Sequence, residues 1–132
     1  MDYREFLIGD YIAAVEMGDK TPTLTITKVV KDKLESLKNP GKQVTKGIIH
    51  FKEIDRMWVL NTTNAHCIAG MFGNETDGWC GKRVTLYAEM VSVGQKKELG
   101  IRVKGSPDID REITVTVQLP RRKPREYRMV RT

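Results

Sequence analysis

The sequence has few cysteines, few aromatic residues and no long apolar segment. It contains 2 cysteines in 132 residues, and aromatic residues make up 7% of the chain. Cys67 and Cys80 form no Cys-x-x-Cys pair, and the histidines add no metal-ligand spacing, so we expect no metal site. No apolar run approaches the ~18 residues that a membrane helix needs, so we expect no membrane association.

Patterns that mark enzymes and cofactor sites are also missing. The glycines from Gly70 to Gly81 do not lead into the Gly-Lys-Ser/Thr sequence of a phosphate-binding loop. The carboxylates are scattered, and no Cys/His pair stands in a catalytic pattern. We therefore predict a non-enzymatic protein without a cofactor. Residues 1–5 lack the basic region followed by an apolar stretch that marks a signal peptide, so we expect a cytoplasmic location.

Positive charge is concentrated at the C-terminal end of the chain. The formal net charge is +6, yet residues 1–110 contain 16 Lys/Arg and 15 Asp/Glu. Residues 111–132 contain 7 Lys/Arg and 2 Asp/Glu, a balance of +5. Such a segment favours polyanions, because cations that neutralise phosphates release bound counterions. The alternative is a solvated tail that only aids solubility.

Alternation of apolar and polar residues predicts a small β-rich domain. Six segments have the alternation or the β-branched content of strands. They are residues 23–27, 44–52, 57–60, 83–93, 98–104 and 113–119. Between the third and the fourth, residues 62–73 have apolar side chains at helical spacing. Asn61 or Thr62 can cap this helix, and Gly73 is placed to end it.

This order of elements predicts an all-β fold with one helix. A helix between a third and a fourth strand is typical of the OB-fold, a five-stranded Greek-key barrel that binds oligonucleotides and oligosaccharides. We expect residues 1–119 to form one such domain, with an extra strand at its C-terminal end. Residues 120–132 are predicted to be a basic, flexible tail.

Three short motifs carry a family resemblance. They are Leu60-Asn61-Thr62-Thr63-Asn64-Ala65, Trp79-Cys80-Gly81-Lys82-Arg83-Val84-Thr85-Leu86-Tyr87 and Gly100-Ile101-Arg102-Val103. With these motifs, residues 6 to 104 resemble a family of small phage and prophage proteins that is OB-fold-like and similar to phage single-stranded DNA-binding proteins. The resemblance implies a role in phage replication or recombination, in the cytoplasm of a bacterial host.

Strand parity assigns a basic face to the predicted barrel. Side chains expected inside are Ile49, Phe51, Val84, Leu86, Leu99, Ile101 and Val103. Side chains expected outside are Lys46, Ile48, His50, Lys52, Arg83, Thr85, Tyr87, Arg102 and Lys104. This outer set combines cations with an aromatic ring, which single-strand binders use to contact phosphates and to stack bases. An ordinary solvated face is the alternative.

Trp58 and the C-terminal cations complete the predicted interface. Trp58 lies in the short third strand, where a stacking role and a core role fit the sequence equally well. Trp79, next to a glycine turn, is assigned to the core. The candidate phosphate contacts of the tail are Arg121, Arg122, Lys123 and Arg125.

These patterns predict a non-catalytic protein that binds single-stranded nucleic acid, with DNA favoured and RNA left open. Phage or host replication proteins are expected partners, and the C-terminal strand offers an edge for a homodimer. The alternative function is a protein–protein interaction module, such as a phage accessory or host-takeover factor. Such a module would use the barrel or an edge strand.

Overall fold

The computed structural model describes residues 11–35, 41–93 and 95–132, which form seven β-strands and two α-helices. The elements are α1 (Ala14–Met17), β1 (Thr23–Glu35), β2 (Gln43–Phe51), β3 (Met57–Val59), α2 (Thr62–Phe72), β4 (Arg83–Val93), β5 (Lys96–Ser106), β6 (Ile113–Val117) and β7 (Arg125–Arg131). A short 3-10 helix, Thr76–Trp79, follows α2.

All seven strands belong to one sheet with the order β3-β2-β1-β4-β5-β7-β6. Neighbouring strands are antiparallel except β5 and β7, which run parallel and pair through Gly105 with Val130 and Ser106 with Arg131. The mainly β class predicted from the sequence is confirmed. The pairing leaves the sheet open, with β3 and β6 at its edges, so the five-stranded barrel remains a prediction.

One apolar cluster holds the sheet and α2 together. It contains buried side chains from every strand and from α2: Ile26, Ile49, Trp58, Ile68, Leu86, Val103, Val117 and Met129. Because side chains of both edge strands meet in this cluster, the sheet curves around a single core.

Strand parity, the alternation of inward and outward side chains along a strand, predicts most of the core residues correctly. The confirmed inward residues are Ile49, Phe51, Val84, Leu86, Ile101 and Val103. The outward assignments of Ile48 and Thr85 are wrong, because both side chains are buried. The inward assignment of Leu99 is also wrong, because its side chain is 48% exposed. Leu99 lies opposite Met90, which is 55% exposed. Both residues lie where the β4–β5 hairpin extends beyond the core.

Helix α2 begins and ends where the sequence predicts, to within one residue. The Oδ1 of Asn61 accepts a hydrogen bond from the backbone N–H of Asn64 at 2.8 Å. Gly73 follows the last helical residue with a φ of 97°, which glycine adopts without a steric penalty. Cys67 and Ile68 face the core. Burial raises the pKa of the Cys67 thiol to about 11.

The basic C-terminal segment is part of the sheet. Strand β7 pairs with β6 over five residues and with β5 at its C-terminal end. Tyr127 and Met129 lie on the same side of β7, and Met129 is buried in the core. The predicted flexible tail is therefore wrong for Arg125–Arg131, because this apolar side anchors the segment.

Candidate nucleic-acid interface

A cleft, here named the hairpin cleft, separates two hairpins of the sheet. The β4–β5 hairpin forms one wall and the β6–β7 hairpin the other, and Thr63 of α2 also lines it. The cleft opens because β5 and β7 pair at their C-terminal ends, through Gly105 and Ser106 of β5, and diverge from there. Its volume is about 300 Å³, which lies in the range of small-ligand sites.

Cations dominate the lining of the hairpin cleft. They are Lys97, Arg102, Arg122, Lys123 and Arg125. Glu89 is the carboxylate among the described lining residues, and it accepts a long hydrogen bond from the Tyr87 hydroxyl at 3.5 Å. Within the described residues, none of the five cations takes part in an ion pair. Their combined charge is therefore available to attract an anion.

Tyr127 gives the cleft an aromatic wall. It lies on β7 opposite Val115, and its side chain is half-buried. The guanidinium carbon of Arg125 lies 5.5 Å from the centre of the Tyr127 ring, in the geometry of a cation–π pair. A flat ring among cations can stack a base while the cations contact the neighbouring phosphates.

Arg102 brings a guanidinium to the buried part of the cleft. It lies on β5 opposite Tyr87 of β4, and its Nη1 atom is buried without a hydrogen-bond partner. The preceding carbonyl, that of Ile101, accepts a hydrogen bond from Asn64 Nδ2 at 2.8 Å. This bond ties β5 to α2, and it fixes the backbone beside Arg102.

A second, shallower groove shares Tyr127 with the hairpin cleft. Tyr87, Lys104 and Arg128 also line this groove. Arg128 is ion-paired with Glu112, so its charge is partly neutralised. Burial raises the pKa of the Tyr87 hydroxyl. The groove therefore extends the aromatic and basic surface beyond the cleft.

The structure gathers some of the residues predicted from the sequence and separates others. Four of them line the hairpin cleft: Arg102, Arg122, Lys123 and Arg125. Two lie in the adjoining groove: Tyr87 and Lys104. Arg121 is exposed in the turn before β7, with a φ of 62°, and it does not line the cleft. The hairpin cleft and its adjoining groove therefore bring candidate residues of the predicted tail together with candidate residues of β4 and β5.

The residues predicted on the second strand lie elsewhere. Lys46 and His50 on β2, and Lys52 just after it, line neither the cleft nor the adjoining groove. Strand β1 separates β2 from β4 in the sheet, so these side chains belong to a different part of the surface. These three side chains therefore lie outside the cleft and the adjoining groove.

Arg83 was predicted as a phosphate contact, but its charge is paired with a carboxylate. Its Nη2 donates a hydrogen bond to Asp108 Oδ1 at 2.7 Å, and its backbone N–H donates one to Asp108 Oδ2 at 2.7 Å. The hydrogen bond from Arg83 lowers the pKa of the Asp108 carboxyl, which stays ionised at neutral pH. A phosphate would have to compete with this carboxylate for the guanidinium.

Of the two roles left open for Trp58, the structure shows the core role. The side chain is 3% exposed, and its ring centre lies 6.3 Å from that of Phe51 with the planes 21° apart. A buried ring offers no face to a base. Trp79, assigned to the core, is buried as expected, and its indole N–H donates a hydrogen bond to the Gly73 carbonyl at 2.8 Å.

Lys97 and Tyr127 are the cation and the aromatic residue of the cleft that the sequence did not mark as candidates. For Tyr127 a signal exists, because Tyr127 and Met129 alternate with polar residues as in a half-buried strand. For Lys97 there is none, because it is one of several lysines near a hairpin turn. Only the approach of the β6–β7 hairpin makes it part of a cleft.

Among the residues that the structure describes, no three His, Cys, Asp or Glu side chains come together as a metal ion would need. No helix in that part of the chain is long and apolar enough to cross a membrane. The chain matches no protein-family model, no curated protein and no solved structure. Function is therefore inferred from the cleft itself.

Proposed function

We propose that this protein binds single-stranded nucleic acid in the hairpin cleft without catalysing a reaction on it. One observation carries the proposal: five cations without ion pairs in the described structure line the same cleft as the ring of Tyr127. Isolated cations or an isolated tyrosine are common on protein surfaces. Their combination in one cleft is what single-strand binding requires, since the ligand offers both phosphates and base faces.

The proposed contacts divide between phosphates and bases. Lys97, Arg122 and Lys123 are exposed, and each can neutralise a phosphate and release a counterion. Tyr127 can stack a base, and Arg125 can either keep its place over the ring or move to a phosphate. Stacking contributes about 1–3 kcal/mol per base and depends little on base identity. The binding expected is therefore strong at low salt and tolerant of sequence.

Access to the ring favours an unpaired strand. Bases in a duplex cover one another, and proteins that need a base face must take the base out of the stack. A cleft of about 300 Å³ suits a group of nucleotide size rather than a duplex. The choice of DNA over RNA, and the role in phage replication or recombination, are proposed from the family resemblance alone.

We also propose an OB-type barrel for the first five strands. Their order in the sheet is β3-β2-β1-β4-β5, and β1 pairs with both β2 and β4, as the first strand of such a barrel does. Trp58 of β3 and Val103 of β5 share one core, which supports a sheet curved toward closure. Helix α2 follows β3, as the OB-fold expectation requires. Barrels of this kind bind single strands.

The test is a titration of fluorescently labelled oligo-dT with the protein at two salt concentrations, with duplex and RNA competitors. We expect the single strand to bind at low salt, to weaken steeply with added salt and to be displaced poorly by duplex. The RNA competitor decides between the two single-stranded ligands. A protein that does not bind oligo-dT even at low salt would refute the proposed function.

A protein-interaction module is the second candidate, and one apolar patch favours it. Met90 and Leu99 lie opposite each other on the β4–β5 hairpin, and both are about half exposed. Exposed apolar patches often mark protein contacts. Strand β6 is also an edge strand, which a second copy could extend into a homodimer. Salt separates the candidates, because an apolar contact need not weaken as salt rises.

A further inference from the structure

Arg102 differs from the other cations of the hairpin cleft. Lys97, Arg122, Lys123 and Arg125 are exposed, whereas Arg102 is half-buried and its Nη1 atom is buried without a partner. An unpaired buried donor lowers the stability of a protein, and a charged one does so more strongly. Such atoms are few in native structures, and each needs a physical explanation.

The groups around Arg102 leave its buried N–H free. The Ile101 carbonyl next to it already accepts the Asn64 amide. Tyr87, directly opposite on β4, directs its hydroxyl to Glu89. Glu89 lines the same cleft, yet it forms no ion pair with Arg102 in the described structure. In the described structure no residue accepts a hydrogen bond from Arg102 Nη1, and Asn64 Oδ1 is the other buried polar atom without a partner. A phosphate oxygen that enters the cleft can supply an acceptor for the guanidinium.

We infer that Arg102 anchors one phosphate of the bound strand inside the hairpin cleft and thereby fixes the strand's position relative to Tyr127. The inference rests on the proposed function, and it adds a specific role for one residue. An ionised phosphodiester oxygen suits a guanidinium N–H, because the hydrogen bond is charge-assisted and directional. The hydrogen bond between Asn64 and Ile101 holds the backbone of Arg102 in place before the ligand arrives.

The exposed cations have a different role in this arrangement. Their charge acts through solvent and salt screens it, so each contributes a small, nonspecific attraction. Arg102 acts by a hydrogen bond in a partly buried place, where the geometry of the donor matters. A lysine should replace Arg122 without loss, but it should not replace Arg102, because a compact ammonium lacks the planar fork of donors.

Four variants test this difference: Arg102→Met, Arg102→Lys, Arg122→Met and Arg122→Lys. Binding of each to oligo-dT is measured by fluorescence anisotropy. We expect Arg102→Met to weaken binding by about ten- to a hundredfold. Arg102→Lys should recover little of this loss. Arg122→Met should weaken binding by less than about fivefold, and Arg122→Lys should bind as the wild type does.

Thermal stability distinguishes a binding role of Arg102 from a structural role, because replacing a structural residue lowers the Tm. Met keeps the apolar stem of Arg102 and removes the unpaired buried cation. We therefore expect the Tm of Arg102→Met to equal or exceed that of the wild type, since buried charges are often replaced by apolar groups without loss. A lowered Tm together with lowered affinity would assign Arg102 to folding and overturn the inference.

The anchored phosphate can be located with short oligonucleotides that carry one methylphosphonate linkage, which removes a single charge. At one position this change should weaken binding to the wild type but not to Arg102→Met. If the wild type binds oligo-dT while the Met variants at 102 and 122 lose affinity equally, the inference fails and the proposed function stands. Full recovery by Arg102→Lys would also overturn it. If the wild type does not bind oligo-dT, both the inference and the proposed function fail.

Discussion

Gly105 lies so close to Val130 that a β-carbon on residue 105 would overlap the backbone carbonyl of Val130. This contact marks the place where β5 and β7 pair at their C-terminal ends, and the two strands diverge towards their N-terminal ends. The absence of a side chain at residue 105 thus sets the closed end of the hairpin cleft. Substitution there should affect both stability and the cleft.

Replacing Gly105 by alanine should destabilise the fold. Because the obstructing atoms belong to the backbone of β7, the strand itself must move, and overpacking of this kind costs about 1–3 kcal/mol or more. Urea denaturation measures the change in the free energy of unfolding. Gly78→Ala is the matched control, because a β-carbon there would meet the Phe72 carbonyl oxygen at an ordinary 3.7 Å. Equal stability of the two variants would contradict this account of the β5–β7 contact.

The ion pair between Arg83 and Asp108 should make stability depend on pH. The pKa of Asp108 is lowered in the folded state, so the pair stabilises the protein above the ordinary aspartate pKa of about 3.9 and loses this effect as pH falls through the lowered value. Asp108→Asn should be less stable than the wild type at pH 7, and the difference should vanish in acid. Thermal unfolding from pH 7 to pH 2 measures it. Asp110→Asn, at an exposed neighbouring carboxylate, should show a smaller difference, and a gap that persists at pH 2 would contradict the assignment.

Local signals predicted α2 and most of the strands. The cap at Asn61 and the stop at Gly73 act within one turn of the helix, so they can be found without knowing the rest of the fold. The alternation of Val84 and Leu86 likewise reports burial of one strand face. Such signals depend only on residues close in sequence, so the predictions made from them hold in the folded structure.

The hairpin cleft could not be predicted, because it depends on contacts distant in sequence. Strand parity placed Arg102 outside the core, but the cleft that it lines exists only because the β6–β7 hairpin forms the opposite wall. Prolines and arginines between residues 120 and 125 favoured a flexible tail and concealed the alternation of Tyr127 and Met129. The parallel pairing of β7 with β5 at Gly105 has no local signature at all.

The two cysteines should differ in reactivity. Burial raises the pKa of Cys67 to about 11, so its thiol is protonated and shielded at pH 8, whereas Cys80 is exposed. Because the thiolate is the reactive form, we expect a disulfide reagent to modify one cysteine rapidly in the native protein and both in urea. Cys80→Ser should abolish the rapid reaction. Rapid modification that persists in this variant would show that the core around Cys67 opens.

Tyr127→Leu tests the aromatic contact separately from the charge. Leucine keeps apolar bulk against the core but removes the ring, so affinity for oligo-dT should fall by about 1–3 kcal/mol while the salt slope stays the same. Anisotropy titrations at several salt concentrations measure both quantities. Tyr11→Leu, on the β3 side of the sheet, is the matched control and should leave the affinity unchanged. A Tyr127→Leu variant that binds as the wild type does would exclude stacking at this ring.

The most direct test of single-strand binding in the cleft is the salt dependence of oligo-dT affinity in two triple variants. The cleft variant replaces the cations Arg122, Lys123 and Arg125 by glutamine. The control variant replaces three exposed lysines outside the cleft by glutamine, namely Lys28, Lys33 and Lys42. Each lost phosphate contact should reduce the slope of log affinity against log salt by about 0.7. We predict a slope reduced by about 2 in the cleft variant and an unchanged slope in the control. Equal slopes in the two variants, or no oligo-dT binding by the wild type at low salt, would contradict the account.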